Sequence, residues 1–156
     1  MRDTIHHPLL RELYDHWEAL RAGRPLPRRA DFDPFRMPRL LPFLIVNAVE
    51  RGLGGKLRFR IRLEGEAVVQ ARGKSAKGRY IDEPGVIVLG SGVIEGYQRM
   101  VTDRKPWYAE GAFRPDAFRS GSLHRLALPF ADADPERVDF IIVGFIHDLP
   151  PLAGRR

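Results

Sequence analysis

Residues 57–79 read LRFRIRLEGEAVVQARGKSAKGR, and the first eight of them decide the fold. Leu57, Phe59, Ile61 and Leu63 alternate with Arg58, Arg60, Arg62 and Glu64, a period of two that predicts a strand with one buried face. Gly65 breaks the alternation. Ala67, Val68 and Ala71 then predict a turn or two of helix, closed by Gly73 as a C-terminal cap. Gly78 follows before Arg79-Tyr80-Ile81. A strand feeding a short helix and glycine turns, with further strands far downstream, is the front half of a small α+β domain.

Upstream, Leu9, Leu10, Leu13, Trp17 and Leu20 recur at three- and four-residue steps between charges. They predict an amphipathic helix from Ile5 to about Ala22, ended by Gly23 and Pro25. Residues 24–42 carry five prolines and read as a stiffened connector in which Asp33-Pro34 can open a short helical turn. A strand is expected at 43–50, and Gly52-Leu53-Gly54-Gly55 turns it into the next. Downstream, Val93, Ile94, Tyr97, Met100 and Val101 share one face of a helix from about Ser91 to Asp103, with Gly90, Gly92 and Gly96 weakening it. Strands are expected at 107–114, 123–130 and 138–147. The last, VDFIIVGFIH, is apolar on both faces and therefore central. The expectation is an α+β fold: a five-stranded antiparallel sheet with helices across one face, plus the N-terminal amphipathic helix, free to cover part of the other. The chain divides into that helix (1–23), the α+β domain (24–149) and a flexible C-terminal tail (150–156).

Composition narrows the function. The 156 residues suit one domain. No run is apolar enough for a membrane span, and MRDTIHHPLL lacks a secretory signal, so the expected location is cytoplasmic. The absence of cysteine excludes disulfides, thiolate zinc, iron–sulfur clusters and a cysteine nucleophile. A net charge of +6 admits a nucleic-acid partner. The basic residues are spread along the chain and interleaved with acids, however, and Asp31 and Asp33 dilute the most basic stretch, that of Arg28, Arg29, Arg36 and Arg39. There is no nucleophile elbow, no phosphate loop and no metal-type histidine pair, so no enzyme and no metal site is expected. His6 and His7 read as terminal surface residues and His16 as a surface or interface residue.

The pieces Trp17, Arg21 and Gly23, then LPRRADFDP at 26–34, Leu40-Leu41-Pro42, Arg62-Leu63 with Gly65, and Gly73 followed by Gly78-Arg79 fall in a familiar order. Over residues 10–149 the chain resembles the PAS superfamily, and within it the single-domain PAS-like family common in alphaproteobacteria. The resemblance implies a sensor fold that can hold haem, flavin or a small metabolite. Photoactive flavin members use a cysteine, which this chain lacks. Haem-binding members commonly take a histidine from the helix before the third strand, and this helix has none. His124 would be an atypical ligand, and non-covalent flavin stays open. Flanking helices of such domains often pair with a second subunit, which makes Leu9, Leu13, Trp17 and Leu20 candidate interface residues; packing on the chain's own sheet is the other reading, and both can hold.

A pocket between sheet and long helix is expected to be apolar with a few orienting polar groups. Candidate ligand contacts are Arg62, Tyr80, Tyr97, Trp107, Tyr108, His124 and Arg125. Alternation forbids Trp107 and Tyr108, or His124 and Arg125, from both facing inward. Arg62 belongs to the Arg-Leu-x-Gly element of the family and can pair an anion bidentately, or simply a nearby acid. The family often has a threonine after that glycine, where this chain has Glu66. The functional expectation is a stand-alone cytosolic sensory domain that binds a small organic ligand, a signalling protein, or both, with a homodimer through the N-terminal helix. A PAS-shaped adaptor and a basic nucleic-acid binder are the alternatives.

Overall fold

The computed structural model of the protein describes residues 1–87 and 92–150. The alternating stretch is β2 (Leu57–Glu64), and the apolar run before it is β1 (Leu44–Arg51), joined by a turn at Leu53–Gly55 in which Gly54 takes φ 71°. Downstream lie β3 (Trp107–Asp116), β4 (Arg119–Ala131) and β5 (Val138–His147). The sheet order is β2-β1-β5-β4-β3, with every neighbouring pair antiparallel. The first and last strands thus lie side by side, and the doubly apolar strand is central, with Ile141 to Ile146 buried throughout. The expected five-stranded antiparallel sheet is the one found. The β3–β4 hairpin is longer than expected. Asp116 accepts from the Phe118 amide at 2.9 Å, so a tight turn stands where the expected strands, 107–114 and 123–130, left a longer gap.

One deviation reshapes the deciding strand. β1 pairs Asn47 with Ile61 but Val46 with Leu63, so β2 carries an extra residue at Arg62. A bulge of this kind reverses the faces of the residues beyond it. Leu63 therefore packs with Leu41 and Phe43 on the opposite side of the sheet from Phe59 and Ile61. Glu64, expected among the solvent-facing residues, is turned inward, its side chain only 1% exposed.

Helices α2 (Glu66–Arg72) and α3 (Val93–Asp103) cover the front face. Gly73 closes α2 in the left-handed conformation, φ 97°, as its position predicts. Ser91, read as the start of α3, and Gly90, read as one of the glycines that weaken it, lie outside the described residues, as do residues 151–156 of the expected tail. Gly65 enters α2 through a narrow gap. Its amide donates to the Leu44 carbonyl at 2.8 Å, and a Cβ there would meet the Pro42 carbonyl and lie 2.5 Å from that of Leu41. Two separate pieces of the sequence pattern, Leu-Leu-Pro and the glycine that follows β2, are thus one contact.

The N-terminal helix α1 (Pro8–Arg21) covers the back face. It starts three residues later than its apolar spacing suggests, because the His7 ring nitrogen Nδ1 accepts from the Leu9 amide at 3.2 Å and Pro8 takes the first helical position. Leu10, Leu13 and Trp17 pack on Leu126, Leu128, Phe130 and Ile142. Burying a leucine in such a stripe contributes about 2 kcal/mol. Gly144 allows the approach, since a Cβ there would lie 2.5 Å from Leu10 Cδ2 and 3.0 Å from Leu13 Cδ2. Trp17 Nε1 donates to the Pro129 carbonyl at 2.8 Å. Pro129 is tolerated inside β4 because β3 reaches only as far as Ala127, leaving no partner for the missing N–H. The connector at 24–42 forms three short turns, including Pro34–Arg36, where Asp33 accepts from the Phe35 amide at 3.0 Å.

Candidate functional site

The front face holds a partly enclosed cavity of about 40 Å³ between the sheet, α2 and the N-terminal turn of α3. Its apolar walls come from Ile45, Val68, Ile81, Val86, Val93 and Phe145. A space of that size admits a molecule of a few heavy atoms, against the roughly 300–1,000 Å³ of pockets that take drug-sized ligands. Flavin and haem have no room in it.

The outer wall is a segment, 73–87, held down at both ends. Along β2 it adds a partial sixth strand: Gly78 donates to Ile61, Ile61 to Arg79, and Ile81 to Phe59, at 2.7 to 2.9 Å. At the mouth of the cavity Arg72 pairs with Glu64, both side chains at most 6% exposed. Arg72 also donates from Nε to the Val86 carbonyl at 2.9 Å, while Glu64 accepts from the Ala76 amide at 2.7 Å and the Ser75 hydroxyl at 3.3 Å. A buried pair supported by this many hydrogen bonds fixes geometry more than it adds stability. It is the bulge at Arg62 that delivers Glu64 to this place.

Two polar side chains face the cavity with unfinished bonding. Arg125, 7% exposed, donates from Nη1 to the Tyr97 hydroxyl at 2.7 Å and sits 5.2 Å from the centre of the Phe145 ring. Among the described residues no carboxylate lies within ion-pair distance of it. Burial raises the Tyr97 hydroxyl's pKa, with Arg125 opposing the shift, so it stays a neutral donor. Asn47, 1% exposed, donates from Nδ2 to the Ile141 carbonyl at 3.3 Å, and its Oδ1 has no partner among the described residues.

Of the seven candidate ligand contacts, the structure brings Tyr97 and Arg125 together at the cavity. Trp107 stands behind them, edge-on to Tyr97 at 6.1 Å and against Gly96. Arg62 and Tyr80 belong to the outer edge of the sheet. The Arg62 side chain is 58% exposed and 4.0 Å from Glu50, and Tyr80 donates to Glu50 at 2.6 Å beneath the Arg58 guanidinium, with Arg60 bonded to its hydroxyl. Tyr108 and His124 are on the back face. There the Tyr108 hydroxyl meets Glu110 at 2.6 Å and His124 Nδ1 at 2.8 Å, and His6 Nδ1 lies 2.9 Å from the same carboxylate. Burial, then the bond to Glu110, pushes Tyr108 up to about 12, while Tyr108 first and His6 next hold Glu110 below the usual carboxylate range. His124 therefore faces away from any front-face haem.

Among the interface candidates, Leu13 and Trp17 are buried under the chain's own sheet, and Leu9 and Leu20 remain partly exposed. The residues that sequence reasoning missed are Asn47, Glu64, Arg72 and Phe145. Asn47 carried a signal, a lone amide in the apolar run LIVNAV on the same face as Ile45 and Val49. Among the described residues no group of three His, Asp or Glu side chains is placed to hold a metal, and no helix is long and apolar enough to cross a membrane.

Against known proteins, the chain is similar in structure to the PAS domain from Bordetella pertussis BvgS, at 21% sequence identity and a TM-score of 0.45, over 76% of this chain and 87% of that one. No curated protein matches it. The family model described as PAS domain matches residues 5–84, just over half of the sequence, from the segment before α1 to the loop over the cavity. The chain belongs to the PAS domain family.

Proposed function

We propose that this PAS domain is a cytosolic sensory module that binds a small molecule in the cavity beneath α2 and α3 and signals through protein contact. The observation that carries the reading is the partnerless Asn47 Oδ1 in a mostly apolar cavity, beside an Arg125 whose one hydrogen bond among the described residues goes to Tyr97, since a polar group buried without a partner costs stability and is kept where something completes it. α2 is the element through which occupancy is felt. It forms one wall, and its Ala67 and Ala71 carbonyls are held by His147 Nε2 at 3.1 Å and Arg119 Nη2 at 3.0 Å. A displaced α2 therefore acts on the end of β5 and the start of β4. A contact with a signalling partner or a second copy through α1 would use Leu9, Leu20 and the outer face of the helix, because Leu13 and Trp17 are committed inward.

A non-sensing adaptor is the second reading, favoured by the smallness of the cavity. Native mass spectrometry of freshly purified protein separates the two and weighs the assembly at once. The sensor reading expects a retained organic mass, or a rise in melting temperature with a small molecule from a metabolite panel. Neither being found overturns it in favour of the adaptor.

A further inference from the structure

Three buried or nearly buried arginines stand around α2, and they differ in one respect. Arg72 is matched by Glu64 and Arg119 by Asp116, at 2.7 Å, but Arg125 has no carboxylate among the described residues. A cation withdrawn from water without an opposite charge is the costliest state a side chain can adopt. Tyr97 takes only one of its N–H groups and, as acceptor in that bond, keeps its own hydroxyl proton to donate. This wall of the cavity thus offers a guanidinium edge and a phenol, the donor set that suits a carboxylate.

The requirement elsewhere is the reverse. Asn47 Oδ1 is an acceptor with nothing to accept among the described residues. A bare anion leaves it empty, and a water satisfies it but leaves the charge of Arg125 uncompensated. Only a molecule with an acid group and a hydroxyl or amine donor completes both. The apolar walls add a short aliphatic body, and the volume limits it to a few heavy atoms. We infer that the occupant of this cavity is a short carboxylate bearing a hydroxyl or amine donor, its carboxylate on Arg125 and Tyr97 and its donor on Asn47. This rests on the reading of the cavity as a ligand site and specifies the chemistry that site selects.

Three probes of similar size separate the contributions: glycolate carries both groups, acetate lacks the donor, and ethylene glycol lacks the charge. Each is titrated into the ¹⁵N-labelled full chain while backbone amides are followed. Glycolate is expected to shift the amides of Asn47, Ala71 and Val93, acetate to bind about tenfold more weakly, and ethylene glycol to leave them unmoved. Arg125→Met should abolish the glycolate shifts. Asn47→Leu, which keeps the charge should the first variant fail to fold, should erase the preference for glycolate over acetate. Equal shifts with ethylene glycol, or glycolate binding that survives Arg125→Met, overturns the inference and leaves the cavity a ligand site of another chemistry. The inference falls in the same way if all three probes fail but a neutral organic mass is retained on purification. Failure of all three with no retained mass removes both.

Discussion

Replacing Gly65 with alanine tests how the two halves of the sequence pattern meet. Gly65 has φ −70°, a conformation open to any residue, so no backbone strain is involved. The obstacle is space. The added methyl would lie 2.5 Å from the Leu41 carbonyl oxygen, about 0.9 Å inside ordinary contact, and closer still to that of Pro42. Neither neighbour is the free end of a side chain, so the entry to α2 must move away from the turn before β1. Overpacking against unyielding neighbours costs about 3 kcal/mol, the upper end of its usual range. For a domain of this size that lowers the melting temperature by about 6–12 °C. The control is Gly111→Ala on β3, where a Cβ meets nothing among the described residues and the change should be neutral or stabilising by about 0.5 kcal/mol. Urea unfolding of both variants, followed by circular dichroism, gives the difference. If Gly65→Ala falls within about 1 kcal/mol of the control, close approach is not why glycine stands there.

Removing one half of the Glu64–Arg72 pair, as in Arg72→Met, should cost about 3 kcal/mol by stranding a buried carboxylate, whereas Glu64→Leu with Arg72→Met should recover most of it. Hydrogen exchange at Ala76 should quicken in both, because its acceptor is disturbed or gone, and unchanged protection there would contradict the role given to Glu64. Trp17→Phe keeps most of the apolar volume but leaves the Pro129 carbonyl without its donor, for a loss of about 1–2 kcal/mol measured by urea titration. Mild acid should weaken the fold through two histidines. Burial first, then His124, lowers the pKa of His7, and burial first, then Arg36, lowers that of His16. Their stabilisation is therefore complete above the ordinary histidine value of 6.5 and is lost as pH falls through the lowered folded values. His7→Asn, which keeps a cap, combined with His16→Gln should flatten the decline in unfolding free energy between about pH 7 and about pH 5.5; an equal slope in the variant would count against this origin.

The elements with strong periodicity and clear punctuation were legible in the sequence. α2 with Gly73 follows from spacing and a glycine, and β5 from an apolar run too continuous for any place but the centre of the sheet. The bulge at Arg62 had no such mark. LRFRIRLE alternates without a break, and the extra residue shows only in the register against β1, so the pattern puts Leu63 and Glu64 each on the wrong side. That one residue also hid the buried carboxylate beside the cavity. Strand alternation did separate Trp107 from Tyr108 and His124 from Arg125, and the structure assigns each pair to opposite faces. Which member faced the helices needed the pairing to be known. Arg62 and Tyr80 drew attention for chemistry that the edge of the sheet turns to surface ion pairs, whereas Asn47 stood as one polar letter in an apolar strand.

The sheet divides the interior into two compartments, and each contains one of the two tryptophans. Trp17 is bonded to the sheet beneath α1, and Trp107 stands behind Tyr97 next to the cavity. The protein therefore carries its own pair of optical probes, insulated from one another by a layer of backbone. With Trp17 replaced by phenylalanine, the remaining emission reports on anything that enters the front compartment. With Trp107 replaced, it reports whether the helix at the back stays seated. An event that begins in one compartment and is felt in the other would be seen as two signals, and their order in time would give the direction in which the information travels.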